Sequence, residues 1–365
     1  MTAMFGGFYN GKVAALTGHT GFKGSWLAFW LSTLGARVHG YSLPPPTHPN
    51  LHELLAAESL ASSVEADIRD LEAMKGWLAR IRPDVIFHLA AQPLVRLSYL
   101  EPIDTLTSCV IGTAHVLEAV RSLGLQSRVV IVTTDKVYEN HGWTYGYRES
   151  DSLGGHDPYS ASKAAAEIIT HAWRRSYFPA GRVATVRAGN VIGGGDYAVE
   201  RIIPDAVRAR IAGQPLLLRH PEATRPWQHV LDCLSGYLEV GARLDGAPDF
   251  PEAFNFGPGP DGNRSVADLV DAFSRHWPGT WEKTGTDPSR VEANLLNLTI
   301  DRAVTRLGWR PVWAFDRAVG ETAQWYAARH RSTPAANMLT TTRDQLDRYH
   351  SDARAARVAW AIRSS

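Results

Sequence analysis

"ALTGHTGFKGSWLAFWL", residues 15–31, decides the fold. The short apolar run Val13–Thr17 leads into it, and a helix-forming run, Phe22–Leu34, leaves it. Between them Gly18, Gly21 and Gly24 keep the spacing G-x-x-G-x-x-G. Glycine reaches positive φ and lets bare backbone approach a pyrophosphate, while the helix N-terminus turns free N–H groups toward the same point. A plain strand-to-helix turn would show similar glycines. The order strand, glycine loop, helix favours dinucleotide binding. Gly18, Thr20, Gly21, Phe22, Lys23 and Gly24 are therefore the expected cofactor contacts.

Further along, apolar strands alternate with helical patterns. Strands are expected at Arg37–Tyr41, Val85–His88, Arg128–Thr134 and Arg182–Ala188, and helices at Leu71–Ile81, Ile103–Gly124 and Tyr159–Tyr177. This alternation predicts an α/β, Rossmann-type doubly wound parallel sheet, joined by right-handed crossovers and covered on both faces. From about Gly189 prolines, glycines and Arg-aromatic clusters appear. Shorter helices are expected near Arg201–Ala212, Leu231–Leu244 and Ser265–His276. The expected division is a Rossmann domain over 1–188, a smaller, partly interleaved substrate-binding region over 189–330 and a polar tail over 331–365.

Composition limits the function class. The 365 residues carry a formal net charge of +1, which supplies no field for nucleic acid or a membrane surface. Cys109 and Cys233 are the two cysteines and form neither a disulfide framework nor a metal-ligand spacing, so no metal is expected. Apolar runs break before the ~18 residues a bilayer span needs, and the first residues lack a signal pattern. A soluble, cytoplasmic protein is expected.

The strand end "VHGYSLPPP" lacks the acidic residue that binds the ribose of NAD, and it also lacks an arginine for a 2′-phosphate; NAD is preferred over NADP. "EADIRD" offers Asp67 and Ile68 beside the adenine, although Asp67 also suits a helix N-cap. "HLAAQP" brings Leu89, Ala90 and Ala91 to the sheet edge where cofactors lie, and Gln92 to the substrate side.

Two stretches carry the chemistry. In "DPYSASKAAAE", Tyr159 and Lys163 are four residues apart, on one helix face. A nearby cation favours phenolate, so a phenol of ordinary pKa ~10 moves toward use as a base. In "VVIVTTDKVYEN", a strand delivers Thr134, Asp135 and Lys136 together. A hydroxyl, a carboxylate and an ammonium do not belong in a core. A strand-end salt bridge is the plainer alternative for the last two.

These anchors resemble those of the extended short-chain dehydrogenase/reductase family, and within it the CDP-glucose 4,6-dehydratase branch. The resemblance rests on "GHTGFKGSWL", "AAQPLVRLSY", "TTDKVYEN", "GYRESDSLGGHDPYSASKAAAE", "RAGNVIGGGD", "RPWQHV" and "LGWRP", in order over about residues 12 to 315. It implies NAD, a nucleotide-sugar substrate, a homodimer and supply of deoxysugars for a surface polysaccharide. It also implies that Tyr159, Thr134 and Lys163 serve oxidation at C4 of the sugar and that Asp135 is the acid at C6. Asp135 must then be protonated, and an ion pair with Lys136 would oppose this. Lys136 serves either as a base of lowered pKa or as a charge that stabilises an enolate. An epimerase would need no Asp135. A non-catalytic NAD sensor would typically have lost Tyr159 and Lys163.

The substrate clamp is expected from Asn190, Arg201, Arg225, Arg290 and Glu292. Asn190 suits a phosphate or sugar oxygen, or simply a bulged loop. By resemblance Arg225 meets the pyrophosphate, with Arg290 a second candidate. Glu292 suits ribose hydroxyls; it and Arg290 suit surface pairs equally well. Two positions depart from the family pattern. Cys109 stands where asparagine is usual, and Val291 where the close relatives often have histidine.

Overall fold

A computed structural model describes residues 4–285, 296–331 and 337–363. The glycine loop joins β1 (Val13–Thr17) to α1 (Phe22–Thr33). There follow β2 (Arg37–Ser42), α2 (Leu51–Ser59), β3 (Ser62–Glu65), α3 (Leu71–Ile81), β4 (Val85–His88), α4 (Val95–Leu100), α5 (Pro102–Leu106) and α6 (Gly112–Ser122). After β5 (Arg128–Val132) come α7 (Pro158–Tyr177) and β6 (Val183–Ala188). Later helices are α8 (Ile202–Ile211), α9 (Val230–Arg243), α10 (Val266–His276), α11 (Phe315–Arg331) and α12 (Met338–Ala355).

Seven parallel strands form one sheet, in the order Ala253–Phe256, β6, β5, β4, β1, β2, β3. The order reverses between β1 and β4, so the crevice beyond their carboxyl ends is where a ligand belongs. Alternate strand residues feed two cores. Ala14, Leu16, Phe87, Val130 and Val186 face α1, α9, α11 and α12. Ala15, Ile86, Val129, Ile131 and Val183 face α3 and α6. Such two-sided burial is why these strands read as apolar runs rather than as alternation.

Two expected elements are corrected. The strand expected to reach Thr134 ends at Val132, because the Thr134 hydroxyl accepts from the Lys136 N–H at 3.3 Å and opens a tight turn, Asp135–Val137. The single helix expected over Ile103–Gly124 is interrupted by a π turn, Thr107–Ile111. There Thr107 bonds back to the Ile103 carbonyl and Thr113 to that of Cys109. Such turns recur at functional sites. Among the described residues, the run Pro102–Ser122 also has the length and composition of a membrane span, contrary to expectation, although half of it is buried.

Three small sheets shape the second half. Val191–Ile192 pairs with Gln228–His229, Thr224–Pro226 with Asn263–Ser265, and Leu216–Leu218 with Trp281–Lys283. The α12 helix docks on the body through Leu346 and Tyr349, both buried. Each such side chain contributes on the order of 2 kcal/mol by burial.

At that junction the Tyr349 hydroxyl donates to Asp232 Oδ1 at 2.9 Å, and the Val312 N–H donates to the same oxygen at 2.7 Å. Burial pushes the Asp232 carboxyl up from 3.8 to about 7, against the pull of these donors. The folded protein therefore holds a proton that the unfolded chain sheds. The stabilisation is present below the unfolded value and is lost as pH rises through about 7. From about pH 4 to about pH 7 this group lowers Tm as pH rises, and Glu239, which burial also raises to about 7, acts in the same direction. The buried His19, His88, His229 and His350, whose pKa values burial lowers, act in the opposite direction. Asp232→Asn keeps the acceptor, so Tm of the parent relative to the variant should fall across that range in thermal unfolding. Parallel profiles of the two would exclude Asp232 as a contributor.

Candidate active site

The first wall of the site is the glycine loop. Gly18 sits at φ +75°, and a Cβ there would stand 2.7 Å from the Ala90 amide nitrogen. A Cβ on Gly24 would stand 2.1 Å from the Gly18 carbonyl oxygen. Side chains are thus excluded where a pyrophosphate needs bare backbone beside a helix N-terminus. The loop opens on a cavity of about 1060 Å³ along the sheet's carboxyl edge. Its volume and lining fit a dinucleotide together with a second ligand.

All the expected cofactor contacts line this cavity: Gly18, Thr20, Gly21, Phe22, Lys23, Gly24, Asp67, Ile68, Leu89, Ala90, Ala91, Tyr159 and Lys163. At the ribose end, Ser42 and Thr20 share a hydroxyl hydrogen bond of 2.8 Å. Tyr41 is a core residue against Trp77, its hydroxyl on the Asp67 carbonyl at 2.8 Å. Asp67 does not cap α3; Asp70 does, accepting from the Ala73 N–H. The Asp67 carboxylate is held by Arg69, which lowers its pKa, and Arg69 continues to Asp104.

The second wall is α7, capped by Asp157 and begun at Pro158. Its start presents Tyr159 and Lys163, both buried. Thr134 lies next to the Tyr159 phenol, although its hydroxyl proton goes to Asp135. Burial, with Cys109 and Asp135 nearby, raises the phenol well above its ordinary value; Thr134 and Arg201 oppose this. The expected meeting of ammonium and phenol is modified: Lys163 Nζ donates to the Val132 carbonyl at 3.2 Å. Burial lowers the Lys163 pKa.

The turn after β5 separates the groups that looked paired. Asp135 is 2% exposed, and its Oδ1 accepts from Thr134 at 2.9 Å. Its Oδ2 is buried and has no hydrogen-bond partner among the described residues. That oxygen lies 3.0 Å from where a Cβ on Gly189 would stand, so glycine leaves it room. Lys136 is half-buried, lines the same cavity and makes no ion pair with Asp135.

Gln92, Asn190, Arg201 and Arg225 also line the cavity. The Gln92 amide is already engaged, with Leu94 and with the Thr105 hydroxyl. Arg201 bonds Asp196 at 2.9 Å, and that carboxylate raises the arginine's pKa. Arg225 Nη1 donates to the Thr224 carbonyl at 2.8 Å. Trp227 packs at the edge with its N–H on the Arg264 carbonyl. Arg290, Val291 and Glu292 lie outside the described residues. Cys109 is buried in the π turn, its thiol on the Gln92 carbonyl at 3.7 Å. Sequence reasoning missed Pro44, Pro46, Asp196 and the segment Leu216–His220, all in the lining. Asp196, last residue of the quoted "RAGNVIGGGD", had a signal. The others had none, since only the fold brings them to the edge.

Residues 16–245 match the family model described as GDP-mannose 4,6 dehydratase. The CDP-glucose 4,6-dehydratase of Salmonella typhimurium is 43% identical over 94% of this chain and 98% of its own length. The UDP-glucose 4-epimerase of Mycolicibacterium smegmatis is 28% identical, covering 85% of this chain and 97% of its own. Among solved structures, a dTDP-glucose 4,6-dehydratase of Streptomyces venezuelae with NAD and TYD bound superposes with TM-score 0.75 at 25% identity, over 89% of this chain and all (100%) of its own.

Proposed function

The chain belongs to the GDP-mannose 4,6 dehydratase family, and we propose that it removes water from CDP-glucose to give CDP-4-dehydro-6-deoxyglucose. The observation that carries this is the buried, unpartnered Asp135 oxygen on the same turn as Thr134, beside Tyr159. An epimerase oxidises C4 without needing an acid for a leaving hydroxyl.

The cofactor is NAD, which the glycine loop, Asp67–Ile68, Leu89–Ala91, Tyr159 and Lys163 would hold. When bound it supplies the acceptor for the C4 hydrogen and the source of the hydrogen returned to C6. The chain's own groups move the protons. Tyr159, as phenolate, accepts the C4 hydroxyl proton, with Thr134 beside it and Lys163 one turn along the same helix face. The 4-keto group then acidifies C5–H. Asp135 gives a proton to the departing C6 hydroxyl, which leaves as water. Lys136, on the same turn, takes the C5 proton in this reading and returns one to C5 once C6 has received its hydrogen. Arg225, Asn190 and Arg201 hold the substrate's pyrophosphate and sugar oxygens, where guanidinium groups suit paired phosphate oxygens. Arg290 and Glu292 belong to the same proposed clamp.

The direct test is incubation with CDP-glucose, following the sugar by NMR. A new C6 methyl group and a 4-keto carbon, without net reduced nicotinamide, are expected. Inversion at C4 without loss of water would replace this reading by an epimerase.

The protein acts on a soluble nucleotide sugar in the cytoplasm, as a homodimer. Support for the dimer is an exposed apolar face: Tyr99 and Leu100 on α4, Ile103 and Leu106 on α5, Ile111 in the π turn and Ile168 on α7. Leu100 is 80% and Ile103 71% exposed, more than a monomer's surface explains for neighbouring aliphatics. Leu100→Glu combined with Ile103→Glu should convert the dimer to monomer in sedimentation. A dimer that survives both changes would move the interface elsewhere.

A further inference from the structure

Glu167 and Arg187 lie in two quoted motifs, "YSASKAAAE" and "RAGN", yet the reaction uses neither. Glu167 follows Lys163 by one more helical step of four, so Tyr159, Lys163 and Glu167 share one face of α7. The Glu167 and Arg187 side chains are both 4% exposed and join in a two-pronged ion pair, Nε to Oε1 and Nη2 to Oε2, each 2.9 Å. Such a pair is costly to bury and needs its remaining bonds satisfied.

Those remaining bonds have a direction. The Thr133 hydroxyl donates to Glu167 Oε1 at 2.5 Å. Arg187 Nη1 donates to the Tyr138 hydroxyl at 2.7 Å, and that hydroxyl donates to Asn255 Oδ1 at 2.7 Å. Thr185 on β6 completes the carboxylate at 2.7 Å. Thr133 and Tyr138 are the residues that flank Thr134, Asp135, Lys136 and Val137. Both ends of the turn that carries the proposed acid are therefore fastened to one buried ion pair. Asp135 Oδ2, by contrast, has no bond of its own to hold it.

We infer that Glu167 and Arg187 are positioning residues: they hold the turn 134–137 at a set distance from Tyr159 and Lys163, so that acid and base address adjacent carbons of one sugar. The inference rests on the proposed dehydration. A loosened turn should impair the Asp135 step more than C4 oxidation, because Tyr159 and Lys163 sit on the rigid helix. A shift of the order of 1 Å in such a group costs about 10²-fold in rate.

Removing Glu167 or Arg187 strands a buried charge and threatens folding. Thr133→Val and Tyr138→Phe cut the two tethers and leave the pair intact. Each variant should fold with KM for CDP-glucose within about twofold of the parent and with kcat lowered about 10- to 100-fold. Reduced nicotinamide should accumulate during turnover, because oxidation outruns elimination. A purely structural role would lower Tm and slow both steps alike, with no accumulation. That result, or kcat within twofold of the parent in both variants, overturns the inference. If the parent converts no nucleotide sugar, the function reading fails by itself. The tethers are then judged by amide exchange in the cofactor-free protein. Faster exchange confined to 133–139 in both variants upholds them, and unchanged exchange removes them.

Discussion

Tyr159→Phe should lower kcat by about 10³-fold while leaving the protein folded and its ligands bound. The substitution removes one oxygen from a buried side chain and keeps the ring, so packing at the start of α7 is preserved. What is lost is the group that takes the C4 hydroxyl proton. Burial raises the pKa of this phenol in the free protein, and Thr134 and Arg201 favour the phenolate that the proton transfer needs. Thr134→Val should therefore act in the same direction with a smaller effect, by taking away a hydroxyl that favours the phenolate. Steady-state kinetics give kcat and KM, and the nucleotide content of the purified variant reports cofactor retention. A Tyr159→Phe protein with parental kcat would move the base elsewhere in the cavity and end the assignment.

Asp135→Asn should divide the reaction in two. The amide keeps the acceptor for the Thr134 hydroxyl and fits the same space beside Gly189. It cannot deliver a carboxyl proton to the C6 hydroxyl. C4 oxidation should continue, and formation of the 6-deoxy product should fall by about 10²-fold or more. The near-ultraviolet absorbance of reduced nicotinamide should then build up with substrate. Full retention of activity in this variant would mean that elimination is not the chemistry of this site. Loss of the oxidation step as well would mean that Asp135 shapes the whole site rather than serving as its acid.

Much of this was legible before any fold was known. The strand at Val13–Thr17, the glycine spacing and the face shared by Tyr159 and Lys163 are local matters. They depend on residues a few positions apart, and backbone geometry converts spacing into placement. That is why the glycine loop and the shared helix face were legible in the chain alone.

The relation between Asp135 and Lys136 was not legible. Adjacent opposite charges suggest a pair, and only the tight turn Asp135–Val137 shows that one is buried while the other faces the cavity without contact between them. The π turn under Cys109 was hidden for a related reason: apolar periodicity marks a helix but does not count the residues in each of its turns. Glu167 with Arg187, Ser42 with Thr20, and the proline loop on the cavity edge were equally out of reach. By itself the sequence determined five of the sheet's seven strands and the main helices between them, though not β3, Ala253–Phe256 or the small sheets. Tertiary structure alone decided which polar groups there bond one another and which, like Asp135 Oδ2, are left buried without a bond. A buried polar atom takes whatever partner the packing brings within about 3 Å, and that partner can lie anywhere along the chain.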